Sequence, residues 1–312
     1  MERVPGEGPL LSTSTAPIDS PATKSAPVVI PADATAGEAI QVAIDACLAH
    51  FAPNQACWLE QEHPDCLHQT RVSTRRLRAL FSLSRRLVRD DRVAMDIKAR
   101  LRLILVPLGP ARDLDVALAR ARDEGWSAAD VDRLERARTK AYAEAREALE
   151  STAWVQIWSD FARWRSAPTW LDHVADLRDS PARVVTDAAL DHRYRRVLHA
   201  GPWLRSMSDH ALHRIRIEGK KLRYGCEFFD TLYAAGAVRD EDGTEVSVPL
   251  HFAATVAGLQ DAFGLFNDHA VAAELRERLG LVSGGDGPVP TRADCLAAWA
   301  EVAALEPFWR IV

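Results

Sequence analysis

The chain is short of everything that builds a sheet. Aromatic residues make up 7% of its 312 positions, β-branched residues are sparse, and no segment sustains the apolar–polar alternation of a half-buried strand. Ala, Leu, Arg and Glu dominate instead, a mixture that favours helix. There is no excess of positive charge either: 39 Lys and Arg against 44 Asp and Glu leave a formal net charge of -5. That excludes a globally basic nucleic-acid binder, so any anion site must come from how the cations are arranged. No apolar run is long enough to span a bilayer, and no charged-then-apolar signal segment opens the chain. A soluble, cytoplasmic protein is expected. The five cysteines, Cys47, Cys57, Cys66, Cys226 and Cys295, include no C-x-x-C pair, and their odd number argues against a disulfide framework. Reduced, mostly buried thiols are the expectation. Catalytic signatures are missing too, with no G-x-x-x-x-G-K-[ST] and no H-E-x-x-H. His210 and His213 have i,i+3 spacing but no third ligand beside them, so neither metal nor cofactor is expected.

What is present is helix punctuated by proline and glycine. Residues 1–33, rich in Pro, Ser, Thr, Gly and Ala, lack periodic hydrophobics and read as a disordered tail or linker. The folded part is expected over 34–312, divided into 34–167 and 168–312. Thr35 and Glu38 form a capping box, after which Ile40, Ile44, Cys47, Leu48 and Phe51 recur at helical spacing up to Pro53. Further helices are expected from Pro64 to Leu87, Asp91 to Val106 and Ala111 to Asp123, with Pro107, Gly109 and Pro110 as the break between the last two. Another starts at Ser127, with Asp130 completing a second capping box, and continues toward Leu149 and Trp154. Breaks near Pro168 and Pro181 precede helices near 182–199, 208–235, 249–263, 266–279 and 292–308. Arg239 to Pro249 and Ser283 to Pro290 read as polar loops. Trp154, Trp158 and Trp164 are assigned to packing, since no site chemistry surrounds them.

The chain also repeats itself. His68 opens H-Q-T-R-V-S-T-R-R-L-R, and His213 opens H-R-I-R-I-E-G-K-K-L-R. Downstream, L-G-P-A-R-D-L-D-V from Leu108 is echoed by F-G-L-F-N-D-H-A-V from Phe263. Two motifs repeated in order and at similar distance signal duplication, and two similar helical bundles are its natural outcome.

On a helix of ~3.6 residues per turn, positions i, i+3, i+7 and i+10 share a face. In the first copy these are His68, Arg71, Arg75 and Arg78, extended by Arg85, Arg86 and Arg89; in the second, His213, Arg216, Lys220 and Arg223. The opposite faces carry Leu77, Leu80, Phe81 and Val88, or Ile215, Leu222, Cys226 and Phe229. An ordinary solvated face would intersperse both signs, yet Leu67 to Arg89 contains no acidic residue. Several like-charge pairs together cost on the order of 1–2 kcal/mol in an isolated helix, a cost that a polyanionic partner, or carboxylates elsewhere in the fold, would offset. Guanidinium groups offer planar forks of donors suited to phosphate oxygens, and their repetition along a helix suits a repeating phosphate chain. His68 and His213 could donate to phosphate when protonated, or pack and bond to a backbone carbonyl.

With these residues the sequence resembles the CHAD domain, the conserved histidine α-helical domain, over roughly residues 35–305. The resemblance rests on the two histidine-led basic helices, on L-G-P-A-R-D-L-D-V and on L-Q-D-A-F-G-L-F-N-D. It implies an all-α fold of two antiparallel four-helix bundles related by a pseudo-twofold, with basic faces around a surface that binds inorganic polyphosphate. It implies His68, Arg71, Arg75, Arg76, Arg78, Arg112, His213, Arg216, Lys220, Lys221 and Arg223 as ligands. Asn267 stands where the first motif has Arg112, so the anion role is less symmetrical there. Asp113, Asp115 and Asp268 are assigned to capping or to orienting arginines, and Glu227 bears on how far the face extends past Arg223. Members often follow an N-terminal CYTH triphosphatase-like domain, and Lys24 to Ile40 looks like the joining linker. No E-x-E-x-K motif or strand-rich region for that domain is present, so the chain reads as a stand-alone member or as the CHAD part of a CYTH-CHAD protein.

The expected function is therefore a polyphosphate-binding targeting or scaffolding module, for example at polyphosphate granules. One alternative is nonspecific nucleic-acid binding, which a phosphate-reading surface would support weakly; no aromatic platform for bases accompanies the stripes. Another is an accessory role beside a triphosphatase. Catalysis by this chain would need a carboxylate cluster or nucleophile at the anion site, and the D-x-D of Asp113 and Asp115 is the single candidate.

Overall fold

In the computed structural model, residues 20–233, 236–240, 242–284 and 291–310 are described. Among them are twelve α-helices: α1 (Ala36–Gln61), α2 (Pro64–Leu83), α3 (Arg85–Val88), α4 (Arg92–Ile104), α5 (Leu108–Asp123), α6 (Ala128–Glu150), α7 (Thr152–Arg165), α8 (Ala175–Arg178), α9 (Arg183–Leu198), α10 (Asp209–Phe229), α11 (Val248–Leu279) and α12 (Arg292–Ala304). Among the described residues the fold is all-α, interrupted by one small antiparallel hairpin of β1 (Ala237–Arg239), which ends where the loop read as polar begins, and β2 (Glu245–Ser247) within that loop. In the first half α1 packs on α2, α5 on α6 and α4 on α7; in the second, α10 packs on both α9 and α11, and α12 on α11. The halves meet where α2 lies against α10, the two histidine-led helices. Their apolar faces do the burying. Leu77, Leu80, Phe81 and Val88 on one side, Leu222, Cys226 and Phe229 on the other, are all within the core, each large side chain contributing roughly 1.5–3 kcal/mol.

Side-chain size fixes how closely the helices approach. A Cβ at Gly225 would lie 2.7 Å from the Leu190 side chain and 3.3 Å from that of Leu83, so this glycine lets α10 nest between α9 and α2. The tryptophans pack as read from the sequence. Phe51, Trp154, Trp158, Phe161, Trp164 and Trp170 form a chain of ring contacts 4.9–5.8 Å apart, and Trp164 Nε1 donates to Asp91 Oδ2 at 2.7 Å.

Several expectations are corrected. Helix α1 does not stop at Pro53 but runs on to Gln61. Proline removes the donor to the Ala49 carbonyl, a loss of about 3 kcal/mol, and the full burial of Trp58 beyond it offsets that loss. The helices expected at 249–263 and 266–279 are one, α11, since Gly264 costs a helix interior only about 1 kcal/mol and no proline follows. Helix α5 takes in Gly109 and Pro110, because proline is tolerated in a first turn. Helix α10 ends at Phe229, six residues short of its expected end. Asp130 does not complete a capping box: Ser127 caps its backbone, but its carboxylate accepts from the Val282 and Ser283 amides and pairs with Arg133.

Two corrections reach further. Residues 20–33 are an ordered strap where the composition predicts a disordered tail; the rest of that tail lies outside the described residues. Val28 and Ile30 are buried, Thr23 exchanges both backbone bonds with the Asn54 amide, and Thr231 Oγ1 does the same for Ile30. A segment that cannot bury enough surface alone gains it from the finished body. Secondly, Cys57 and Cys66 form a disulfide, contrary to the expected reduced thiols. Helix α1 extends far enough past Pro53 to return Cys57 beside the start of α2. Cys47, Cys226 and Cys295 are free and buried, as expected.

Candidate polyanion-binding face

Each histidine-led helix is started by a specific cap. His63 and Pro64 open α2, with the Asp65 amide donating to His63 Nδ1 at 3.3 Å, and Ser208 caps α10 through the Ala211 amide. With apolar faces committed to the core, the stripes His68–Arg71–Arg75–Arg78 and His213–Arg216–Lys220–Arg223 emerge half-buried along the α2–α10 seam. Among the described residues, none of Arg71, Arg75, Arg78, Arg112, Arg216 or Lys220 makes an ion pair with a carboxylate, whereas most arginines elsewhere do, as Arg100, Arg138, Arg146 and Arg178 illustrate.

The electrostatic consequence is mutual repulsion in a partly dry place. Burial, reinforced by Arg112, Arg75 and Arg71, pushes His68 down to about 4. Burial and then Arg75 bring Arg71 down to about 10. Burial, then Arg75, Arg216 and Arg223, lower Lys220 to about 7, and Asp268 only partly opposes them. Arg75 belongs to α2 and Arg216 and Arg223 to α10, so both histidine-led helices act on this one amine. Arg112, from the first turns of α5, joins at the His68 end.

Backbone and glycine set the arginine positions. Arg75 Nε donates to the Arg71 carbonyl at 3.3 Å, and Arg216 Nε to the Gln260 carbonyl at 3.2 Å. A Cβ at Gly264 would lie 3.2 Å from an Arg216 guanidinium nitrogen, and one at Gly109 3.6 Å from Arg71 Nη1. The second residue of each downstream motif thus lies beneath the arginine three places after each histidine.

The model of the CHAD domain matches residues 42–277. The chain belongs to the CHAD domain family. Of solved structures, the CHAD domain from the plant Ricinus communis superposes with a TM-score of 0.68 at 24% identity, covering 91% of this chain and 90% of that one. PptA from Streptomyces chartreusis superposes with a TM-score of 0.55 at 18% identity over 87% of this chain and 96% of that one. At these identities both show a shared fold. A search of curated protein sequences finds no match to the chain.

Not every residue drawn from the CHAD resemblance belongs to the open face. Arg76 is corrected: only 6% exposed, it pairs with Glu227 across the helix seam and lies over the Phe228 ring at 4.7 Å. It is one position off the stripe, on the side that α2 turns to α10. Lys221 is tied to Glu218 Oε1 at 2.8 Å, and Arg193 and Arg196 surround the same carboxylate. Burial opposes the Glu218 charge, but Lys221 and Arg193 outweigh it and hold the carboxyl below its ordinary range. Arg223 lies 3.6 Å from Glu227 and over the Tyr224 ring, so that carboxylate does temper the end of the stripe. Arg89 pairs with Asp90, and Arg86 donates to the Val184 carbonyl, which removes both from the stripe; the break at Ser84 turns them away. Asp115 orients Arg138 and the Tyr142 hydroxyl at 2.7 Å each, a structural task. Burial raises Asp113, which sits among Arg71, Asp268 and Arg112.

The structure adds Lys98 and Arg102 of α4. Burial, then Lys221, Arg193, Arg78 and Arg85, lowers Lys98, and Arg102 is the first charge acting on Arg78 after burial. Nothing in the helix α4 sequence marks them: they sit in an ordinary mixed-charge stretch and are recruited by packing. Among the described residues no helix is long and apolar enough to cross a membrane.

Proposed function

We propose that this CHAD domain binds inorganic polyphosphate along the α2–α10 seam and acts as a targeting or scaffolding module, in the cytoplasm and for example at polyphosphate granules. The observation that carries this reading is the gathering of cations from both histidine-led helices on one face, where among the described residues only Arg223 of the arginines and lysine in the two stripes is ion-paired, at the cost of depressing one another's charge. A linear polyphosphate brings one negative charge per phosphate unit and relieves several repulsions at once, where a small anion relieves few. The family's association with polyphosphate, implied by the sequence resemblance, agrees. A catalytic role finds less support, because Asp115 of the one D-x-D candidate is committed to Arg138 and Tyr142.

The test is calorimetry with long-chain polyphosphate at two salt concentrations. The parent is compared with a variant carrying alanine at Arg71, Arg75, Arg78, Arg216, Lys220 and Arg223, its folding checked by circular dichroism. Counterion release makes log K fall with log[salt] by about 0.7 per phosphate contact on a single-stranded polyanion, so losing six contacts flattens the slope by about 4. A folded parent that does not bind would overturn the proposal. Weak binding of single-stranded nucleic acid is expected on the same face, displaced by polyphosphate at matched phosphate concentration. Equal competition would favour the nucleic-acid reading.

A further inference from the structure

A second cationic surface lies outside the residues assigned above. Helices α5 and α6 and the end of α11 enclose a groove of about 600 Å³. Its walls carry Arg133, Arg136, Lys140 and Arg278, its floor is apolar with Leu114 and Leu279, and Glu144 stands one helical turn beyond Lys140. Elsewhere α6 neutralises its cations: Arg138 pairs with Asp115, Arg146 with Glu62 and Glu150. Within the groove Arg133 is held by Asp130 and donates to the Gly280 carbonyl, and Arg136 pairs with Asp132. Lys140 and Arg278 line the groove without an ion-paired carboxylate among the described residues, and both are exposed.

The groove is continuous with the seam. Pro110 and Leu114, which line it, share one face of α5 with Asp113 at i, i+3 and i+4 spacing. Arg278 acts on Asp113, the same carboxylate on which Arg71 and Arg112 act. A polyanion leaving the seam at its His68 end, where Arg112 acts, therefore crosses the cluster around Asp113 to reach Arg278 and Lys140. Among the described residues the lining holds no aromatic ring on which a base could stack, so the surface suits phosphate oxygens rather than nucleobases.

We propose that this groove is an exit subsite for the continuing polyphosphate chain, holding phosphates beyond those on the α2–α10 seam and so favouring long chains over short ones. The proposal rests on the reading of the seam as a polyphosphate site. A chain only a few phosphates long fits on the seam alone and gains nothing from the groove.

The experiment uses the full chain with Lys140→Ala and Arg278→Ala together, its melting temperature checked against the parent, titrated with tripolyphosphate and with long-chain polyphosphate at several salt concentrations. Tripolyphosphate affinity should stay within about twofold of the parent. The long-chain salt slope should fall by about 1.4, two contacts at about 0.7 each, with several-fold weaker binding at low salt. An unchanged long-chain affinity and slope would overturn the subsite. So would an equal loss for both ligands, which would place the two residues in the seam's own site. A parent that binds neither ligand would instead remove the seam reading and the groove with it.

Discussion

Replacing Lys220 by arginine should remove the pH dependence of polyphosphate binding near neutrality. Lys220 lies at about 7 without ligand, because burial and the Arg75, Arg216 and Arg223 guanidiniums disfavour its charge. Phosphates along the seam reverse that balance and return the amine to its ordinary range of about 10.4. Ligand therefore prefers the protonated amine, and affinity falls as pH rises through 7. Each pH unit above that point costs about tenfold, ~1.4 kcal/mol, so binding should weaken by roughly 100-fold from about pH 6 to pH 9. Close to one proton per site should be taken up near pH 8. Calorimetry in two buffers of different ionisation enthalpy counts that proton directly. Lys220→Arg keeps a cation that stays charged throughout and should bind with a flat profile and no uptake from this residue; it also controls for titration of the polyphosphate end groups. A parent that binds with affinity constant over this range and takes up no proton would refute the reasoning.

The stability of the unliganded protein should run the other way. The folded pKa of Lys220 is below its unfolded value, so between about 7 and 10 the unfolded chain binds more protons and stability rises with pH. His68, at about 4 through burial and its arginine neighbours, acts likewise on the acid side, where the folded protein loses stability as pH falls below the ordinary histidine range of about 6.5. A ligand that reverses both trends acts at the seam rather than at a remote patch.

Three further perturbations separate packing from binding. Arg76→Ala takes from the partly buried Glu227 its partner across the seam, leaving Arg223 at 3.6 Å, and should cost about 3 kcal/mol in urea unfolding, while the folded fraction keeps polyphosphate affinity within about twofold. Gly264→Ala should leave stability unchanged or raise it by up to ~1 kcal/mol from helix propensity. It should also weaken binding several-fold, since the new methyl displaces the Arg216 guanidinium; unchanged affinity would show that Arg216 is not held there for ligand. Reducing the Cys57–Cys66 bridge, which closes a loop of sequence separation 9, should lower unfolding free energy by about 2–3 kcal/mol on the chain-entropy account, measured with and without dithiothreitol.

What was legible in the sequence is what repeats or alternates. Leu77, Leu80, Leu222 and Phe229 are spaced at the helical period and are buried, and the cations opposite them emerge on the facing side of the same helices. The absence of acid from Leu67 to Arg89 is local information, and it marks the α2 side of the seam. Partner choice was not local. Arg76 and Arg75 are adjacent, both basic and both inside the motif, and only the approach of Glu227 from α10 decides that one packs while the other faces the site. Lys98 belongs to the electrostatic neighbourhood of Lys221, Arg193 and Arg78 because α4 folds beside them, a relation no spacing within α4 encodes.

The strap and the disulfide are illegible in the sequence for the same physical cause. The order of residues 20–33 comes from acceptors and donors on Asn54 and Thr231, up to 201 positions away, and the segment's own composition carries no trace of them. The Cys57–Cys66 bridge required α1 to continue through Pro53, which a propensity argument forbids and the burial of Asn54 and Trp58 beyond it makes tolerable. Asn54 ties the two features together: its Oδ1 accepts from the Thr23 amide, and its Nδ2 donates to both the Thr23 and the His50 carbonyls. Asn54→Ala should accordingly loosen two features at once. Accelerated proteolysis near Thr23 and a lowered melting temperature should appear together, and loss of either without the other would show that strap and helix end are independent.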